Sequence, residues 1–396
     1  MREHPAPDCS PFAPATLLVA GDLCPAGFIG AKLSGPDAGS VFGGLASVLG
    51  SVDLSVVNIE CPLSDDPDPT TKSGPLLWGP PAAAHGIRVA GFTVASLANN
   101  HVRDAGGRGV LHSVAACEAA GLDTVGAGSD YSAATKPLIK RLGDLTVAIL
   151  AFAENEFSTT TGAQPGAWPF DLVDNARQIS QAARDFDYVL VLFHGGAEHY
   201  PLPSPRMQKA CRFFVDMGAD AVVCHHSHVP GGYEIYKDAP IAYGTGNLLF
   251  DPSGPAPADW LTGFLVRLHA GRHMTAGMEI IPYRQDPAAP SVSLLTGSDK
   301  DSFLSRSSSL NQVIADADLL KKRWMTFCSE RRPELLGSLL CLTRPESWLL
   351  DRGRLPGARY RLTQKHIARL RNLFSCETHA EACEQMLRDL LDEKTS

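Results

Sequence analysis

Short apolar runs rich in β-branched residues alternate with segments of helical periodicity up to about residue 286. The apolar runs predict strands at 16–20, 54–58, 92–97, 146–150, 187–193, 221–224 and 241–243. Helical spacing predicts helices at 109–120, 175–184 and 206–217. Residues 263–268 and 275–281 alternate without a helix between them, which predicts an antiparallel hairpin. This pattern indicates a layered α/β domain over residues 15–286, preceded by a short tail at 1–14.

The pattern changes after residue 286. Residues 287–309 are dominated by Pro, Ala, Ser and Gly, a composition that predicts a linker. Beyond the linker, apolar residues recur only at three- and four-residue spacings, which predicts an all-helical C-terminal region over 310–396. Its helices are predicted at 310–331, 333–342, 362–374 and 378–394.

Composition narrows the class of protein. The 396 residues are 44% apolar and 20% charged, as in ordinary globular proteins, and the net charge of −8 argues against a general nucleic-acid binder. The longest apolar runs are far shorter than the roughly 20 residues that span a bilayer. The N-terminus has no apolar segment of the secretory type. We therefore expect a cytoplasmic protein with reduced thiols and with neither a nucleic-acid nor a membrane partner.

Chemically capable side chains follow the ends of six of the seven predicted strands. They are Asp22, Asn58, Glu60, Asn99, Asn100, His101, Asp104, His194, Glu198, His199, His225, His226, His228 and Asn247. In a mostly parallel sheet the carboxyl ends of the strands share one edge, where open α/β sheets bind ligands. The placement therefore predicts a functional site at that edge.

A metal ion is the ligand that this set of side chains favours. His226 and His228 lie two residues apart and, in an extended segment, would point to the same side. We expect these two histidines to converge with Asp22, Glu60 and Asn100 on one site. Mixed carboxylate, amide and imidazole ligands without thiolate pairs suit Ca²⁺, Mn²⁺, Mg²⁺, Fe²⁺ or Zn²⁺, and the residue types do not choose among these ions.

The same residues form ordered motifs along the chain. The motifs are Gly21-Asp22, Asn58-Ile-Glu60-Cys-Pro62, Leu97-Ala-Asn-Asn-His101-x-x-Asp104, His194-Gly-Gly-x-Glu198, Gly218-Ala-Asp220, His225-His-Ser-His228-Val, Tyr243-Gly-x-Gly-Asn247 and Phe250-Asp251. With these motifs, residues 15–285 resemble the capsule-synthesis (CapA-like, poly-γ-glutamate) family. The resemblance implies the calcineurin-like metallophosphoesterase fold, a β-sandwich flanked by helices, and it does not extend to the helical C-terminal region.

The resemblance also implies roles for particular residues. The positions that correspond to its metal site are Asp22, Glu60, Asn100, His194, His226 and His228, and His101 corresponds to the proton-donating histidine. Two positions depart from the metallophosphoesterase pattern: Cys24 stands where a histidine ligand is usual, and Glu60 replaces a bridging aspartate. Loss of one histidine ligand leaves open whether the site holds one ion or two, and it weakens the case for phosphate-ester hydrolysis.

Three functions from different classes fit this resemblance. Soluble CapA-like proteins include lasso-peptide epimerases, so the favoured hypothesis is a metal-dependent epimerase that inverts a Cα centre of a ribosomal precursor peptide. The first alternative is a hydrolase of poly-γ-glutamate-type amides or of phosphate esters. The second is a non-catalytic capsule or peptide-binding protein.

Inversion at Cα requires two acid/base groups, one on each face of the substrate. His101 with Asp104, and His194 with Glu198, are predicted as such pairs, because a carboxylate on the far ring nitrogen fixes the tautomer of a histidine. The residues predicted to contact the substrate are Asn58, His225, Asn247, Arg359 and Arg361. The two arginines belong to a basic run in the C-terminal region that either docks an acidic peptide or forms a solvated helix face.

Overall fold

The computed structural model describes residues 14–352, except 73, 161, 253, 255–257, 272–276, 333 and 336–343, together with isolated positions beyond 352. The strands are β1 Ala15–Leu23, β2 Leu54–Ile59, β3 Val94–Ser96, β4 Asp123–Val125, β5 Ala127–Gly128, β6 Leu138–Leu142, β7 Leu145–Ala153, β8 Gly166–Ala167, β9 Tyr188–His194, β10 Ala221–His225, β11 Tyr233–Tyr236, β12 Ala239–Ala242, β13 Asn247–Leu249, β14 Thr262–Ala270, β15 Gly277–Asp286 and β16 Ser291–Leu294. The helices are α1 Gly27–Leu33, α2 Ala46–Leu49, α3 Ala83–Val89, α4 Gly106–Ala119, α5 Tyr131–Ala134, α6 Leu172–Asp185, α7 Pro205–Asp216, α8 Gly297–Ala315, α9 Ala317–Glu330 and α10 Arg344–Asp351.

Two sheets carry most of these strands. The first has the order β16-β15-β14-β1-β2-β3-β4, with β13 also paired to β1, and the strands from β1 to β4 run parallel. The second has the order β11-β12-β10-β9-β7-β6, with a parallel centre and an antiparallel strand at each edge. The predicted hairpin is confirmed as the antiparallel pair β14–β15.

The sheets face each other across a shared apolar layer. Val19 and Val56 of the first sheet belong to the same buried cluster as Leu190 and Val223 of the second. Because successive side chains of a strand point to opposite faces, neighbours such as Leu18 pack on the outer side instead. Both faces of the central strands are therefore buried, which explains why these strands are nearly continuous apolar runs in the sequence.

Helices cover the outer faces. Ile29 of α1 packs with the outer side of the first sheet, and Ile179 of α6 packs with that of the second. The helices on the second sheet have clear start signals: Asp171 accepts hydrogen bonds from the first turn of α6, and Ser204 caps α7 just before Pro205. The helix-flanked sandwich confirms the fold class that the sequence predicts.

The predicted linker at 287–309 is corrected by the structure. This stretch contains β16, which pairs with β15, and the first part of α8. Three of its apolar residues, Val292, Leu295 and Phe303, are buried. The predicted helix at 310–331 is also corrected, because this segment contains two helices that meet at Asp316. The Asp316 side chain accepts backbone hydrogen bonds from the first turn of α9. The free energy gained by burying these apolar side chains outweighs the tendency of the small residues around them to form a loop.

The chain divides into two compact units, one ending at Lys322 and one beginning at Arg323. The first unit runs past residue 286, where the predicted α/β domain ends. Most of the second unit, including Arg359, Arg361 and the helices predicted at 362–374 and 378–394, lies outside the described residues. Their predicted role in binding an acidic substrate stays a prediction.

Candidate metal centre

The strand ends of both sheets meet at one buried site. From the first sheet come Asp22 at the end of β1, Glu60 after β2 and Asn100 after β3. From the second come His194, the last residue of β9, and the turn after β10. The register of β1 shifts between Val19 and Asp22, and such irregularities are often found where a strand re-aims a side chain at a site.

Six residues at this site bring their ligand atoms together. Within the described residues, three overlapping groups each have all their ligand atoms within 4.8 Å of one another. The groups are Glu60 with His194 and His226, Glu198 with His226 and His228, and Asp22 with Glu60 and His228. We call these six residues the ligand cluster. It contains four of the five residues predicted as metal ligands; the fifth, Asn100, places its Oδ1 3.1 Å from Nε2 of His194.

Glu60 is the strongest sign that these residues form a cation site. Its side chain is fully buried, and neither carboxylate oxygen has a hydrogen-bond partner among the described residues. Its Oε1 lies 3.5 Å from Nε2 of His194 and 3.7 Å from Nε2 of His228. Burial, followed by the nearby charge of Asp22, raises the pKa of Glu60 well above its usual value. A buried carboxylate is costly unless a positive charge compensates it, so the residues fit a divalent ion.

His228 is oriented by an amide partner. Its Nδ1 donates to Oδ1 of Asn247 at 2.9 Å, while Asn247 donates from Nδ2 to the His228 carbonyl at 3.1 Å. The rings of Phe250 and Trp260 pack at 5.1 and 5.0 Å from the imidazole. These contacts leave Nε2 directed toward Glu60, the usual arrangement for a metal-binding histidine. Asn247, predicted to contact substrate, is thus engaged in positioning His228.

Asn58 also orients residues of the ligand cluster. It donates from Nδ2 to Oδ1 of Asp22 at 2.8 Å and lies 3.3 Å from Nδ1 of His194, while its Oδ1 accepts from Asn99 at 3.2 Å. All of its polar atoms are therefore occupied by protein, and it orients Asp22 and His194. Burial, together with the surrounding histidines, lowers the pKa of His194 well below its usual value, and burial lowers the pKa of His228 to about 4. Neutral imidazoles are the form that binds metals.

The three histidines after β10 lie in a segment whose backbone differs from the predicted one. His226 and His228 do converge, but the segment is not extended: their φ angles are 90° and 57°. Such left-handed backbone is strained for residues with a side chain and is typical of functional sites. His225, predicted to contact substrate, is buried and contacts the Ala20 carbonyl through Nε2 at 2.9 Å, which ties β10 to β1.

Next to the ligand cluster, His101 and Asp104 form the predicted pair. Nδ1 of His101 lies 2.6 Å from Oδ2 of Asp104, and both side chains are buried. Because Nδ1 is engaged with Asp104, Nε2 is the ring nitrogen that can accept or donate a proton.

The second predicted pair, His194 with Glu198, does not form among the described contacts. His194 lies instead between Asn58, Asn100 and His226. Glu198 is half-exposed and faces His226 and His228. The position of His194 suits a ligand better than an acid/base group, because its ring nitrogens are surrounded by other ligand-capable atoms.

Two residues at the site escaped the sequence analysis. Glu156 lies 3.4 Å from Nε2 of His226 and accepts from Nδ2 of Asn100 at 3.4 Å. Glu156 follows the end of β7, so its strand-end position could have identified it in the same way as the other site residues. Lys72 contacts the His101–Asp104 pair from a loop, where no local pattern marks it.

Cys24 differs from the histidine usual at its position. It is buried and packs with Cys61, Phe250 and Trp260, and it belongs to none of the ligand groups in the described part of the chain. Burial, together with the hydrogen bond to Cys24, raises the pKa of Cys61 well above its usual value. This corner of the site is therefore an apolar packing contact.

Comparison with known proteins places the chain in a family. Residues 16–252, more than half of the chain, match the family model described as bacterial capsule synthesis protein PGA_cap. The chain belongs to this family, as its motifs predict. In this family member the ligand cluster is a set of residues that could hold a divalent metal ion.

The curated relatives agree with the family. The chain is similar to the capsule biosynthesis protein CapA of Bacillus anthracis, with 33% identity over 52% of this chain and 50% of that one. It is also similar to the PGA biosynthesis protein CapA of Bacillus subtilis (strain 168), with 32% identity over 50% and 52%. A probable polyglutamine synthesis accessory protein of Mycobacterium tuberculosis (strain ATCC 25618 / H37Rv) is 28% identical over 52% and 57%. The chain thus spans about half the length of these relatives.

Solved structures with some likeness include two nucleotidases. A putative 5'-nucleotidase from Staphylococcus aureus has a TM-score of 0.43 at 13% identity, covering 75% of this chain and 58% of that one. A 5'-nucleotidase from Candida albicans has a TM-score of 0.41 at 10% identity, covering 81% and 58%. At such scores the likeness says nothing about activity. No helix in the part of the chain that the structure describes is long and apolar enough to cross a bilayer.

Proposed function

We propose that this chain is a metal-dependent epimerase that inverts a Cα centre of a peptide substrate. The observation that carries the proposal is that His101, whose Nδ1 is held by Asp104, lies next to a cluster that contains the unpartnered carboxylate of Glu60. Acid/base chemistry at carbon needs both a proton carrier and a means of stabilising the resulting negative charge.

The residues that would hold the ion are those of the ligand cluster other than Glu198, with Asn100 beside them. When bound, a divalent ion supplies Lewis-acid stabilisation to a carbonyl oxygen. His101 would move the Cα proton through Nε2, since its Nδ1 is held by Asp104. Glu198, which is half-exposed beside His226 and His228, is the candidate for the second face of the substrate.

Amide hydrolysis is the second candidate, because the curated relatives are named as capsule and PGA biosynthesis proteins. The same site would then act on a γ-linked glutamate chain. Phosphate-ester hydrolysis is less favoured, because the position of the usual histidine ligand is taken by Cys24, which packs against apolar residues.

One experiment separates these candidates. The full chain is loaded with Mn²⁺ and incubated in D₂O with a panel of synthetic peptides and with γ-linked glutamate oligomers. The proposal expects deuterium at a peptide Cα without cleavage, detected by mass spectrometry. Cleavage fragments without deuterium would contradict the epimerase and support the hydrolase. Tight binding with neither change would leave a peptide-binding protein, and His101→Ala serves as the inactive control.

A further inference from the structure

A lysine is buried against the acid/base pair. The side chain of Lys72 is 3% exposed, and its Nζ donates to Oδ1 of Asp104 at 2.6 Å. The same nitrogen lies 3.1 Å from Nδ1 of His101, 3.5 Å from the Asn100 carbonyl and 5.9 Å from the centre of the Phe157 ring. Burying an ammonium group is costly unless it is paired, so this lysine is held in place by the groups it contacts.

Asp104 is fixed from three directions. Its Oδ1 accepts from Lys72, and its Oδ2 accepts from His101 and from the backbone N–H of Leu77 at 2.9 Å. The carboxylate is completely buried. With both oxygens engaged, its plane cannot rotate without breaking a charge-assisted hydrogen bond. The orientation of the His101 ring depends on that plane, because Nδ1 is bonded to one of the two oxygens.

The loop that carries Lys72 is itself anchored to the segment after β3. The backbone N–H of Asp68 donates to the Ala105 carbonyl at 3.1 Å, and that of Thr70 donates to the Asp104 carbonyl at 3.2 Å. The Thr70 hydroxyl donates to the Arg103 carbonyl at 2.6 Å. Lys72 therefore approaches Asp104 from a loop that is hydrogen-bonded to Asp104 and to the residues on either side of it.

We propose that Lys72 is a positioning residue for the acid/base pair: it clamps the Asp104 carboxylate so that His101 presents Nε2 to the substrate. This inference rests on the proposed function for its effect on turnover, but the geometry of the pair can be tested without any substrate.

The test compares Lys72→Met and Lys72→Arg with the unmodified chain, each loaded with diamagnetic Zn²⁺ for the NMR readout. The substrate-free readout is the low-field proton NMR resonance of the His101–Asp104 hydrogen bond, assigned by its absence in His101→Ala. Lys72→Met should shift or abolish this resonance, while Lys72→Arg, which keeps the charge, should preserve more of it. Lys140→Met is the matched control, because Lys140 of β6 forms a partly exposed 2.7 Å pair with Asp123 of β4.

The second readout is Cα deuterium exchange. Lys72→Met should lower kcat roughly 10–100-fold, the range typical of outer partners in an active site, with KM and metal content unchanged. A wild-type resonance together with wild-type kcat would overturn the proposal, as would equal loss in the Met and Arg variants. If Lys72→Met does not fold, Lys72→Gln takes its place with the same readouts. Absence of turnover in the unmodified chain would reject the proposed function, and the resonance would still decide the role of Lys72.

Discussion

The His101–Asp104 pair and the ligand cluster adjoin each other, and their buried charges are compensated differently. Asp104 accepts hydrogen bonds from three donors, one of them a lysine. Glu60, equally buried, has no hydrogen-bond partner among the described residues. The first carboxylate is satisfied by the protein alone, whereas the second requires a proton or a cation from outside. The difference separates the part of the site that is preformed from the part that a metal ion completes.

The largest expected effect is on turnover. His101→Ala should lower the rate of Cα exchange by roughly 10²–10⁴-fold, the usual contribution of a positioned acid/base group. Metal content, measured by atomic emission, should not change, because His101 is outside the ligand cluster. Asp104→Asn should cost less, since it removes orientation and not the proton carrier. A His101→Ala protein that exchanges at the normal rate would place the base elsewhere, and one that also loses metal would make His101 a ligand.

The next effect concerns metal affinity. Glu60→Gln should weaken Mn²⁺ binding by more than the roughly 10–100-fold that loss of an outer partner costs, because the cluster would lose the charge shared by two of its groups. Calorimetric titration of the full chain measures this change. Glu279→Gln is the control, since Glu279 is an exposed residue paired with Arg267. Equal affinities in the Glu60→Gln and unmodified proteins would separate Glu60 from the metal.

Stability provides a contrast between two lysine–aspartate pairs of nearly equal length. Asp104→Asn should reduce the free energy of unfolding by about 3–5 kcal/mol, because it leaves the buried charge of Lys72 uncompensated. Asp123→Asn should cost no more than about 1 kcal/mol, since Lys140 and Asp123 are partly exposed. Urea unfolding of the metal-free proteins measures both. Equal losses would show that burial does not set the strength of these pairs.

The smallest effect is on pH dependence. Since burial raises the pKa of Glu60, the folded metal-free protein holds this proton more tightly than the unfolded chain. Its stability should therefore fall as the pH rises above the ordinary carboxyl value of about 4.5 toward the raised pKa. Glu60→Gln should flatten this slope, and Mn²⁺ should oppose it in the unmodified protein. Thermal melts across this pH range measure the slope, and a decline that survives the substitution would have another origin.

Much of the fold follows from local pattern. The seven predicted strands correspond to β1, β2, β3, β7, β9, β10 and β12, because strands buried on both faces appear as apolar runs. The structure of the stretch at 287–309 does not follow from its composition, because a few buried residues, such as Val292 and Phe303, outweigh the many small residues. Strand β16 in this stretch is stabilised by its antiparallel pairing with β15.

The site was predictable as a location but only partly as a set of contacts. Strand ends identify Asp22, Glu60 and His228 because topology alone brings them to one place. The partner of His194 could not be deduced, because the choice between Glu198 and Asn58 depends on how two sheets face each other. Lys72 has no strand-end position at all, and its pairing with Asp104 arises from the path of a loop.

The turn after β10 has a consequence for how the protein is made. The backbone N–H of His226 donates to Asp22, a residue 204 positions earlier in the sequence. Contacts of such long range form late, because closing a long loop costs entropy before any contact compensates it. On the ribosome, the first half of the ligand cluster is synthesised well before the second. An ion therefore cannot find its full set of ligands until the strand β10 has been added, so metal loading follows synthesis of this region.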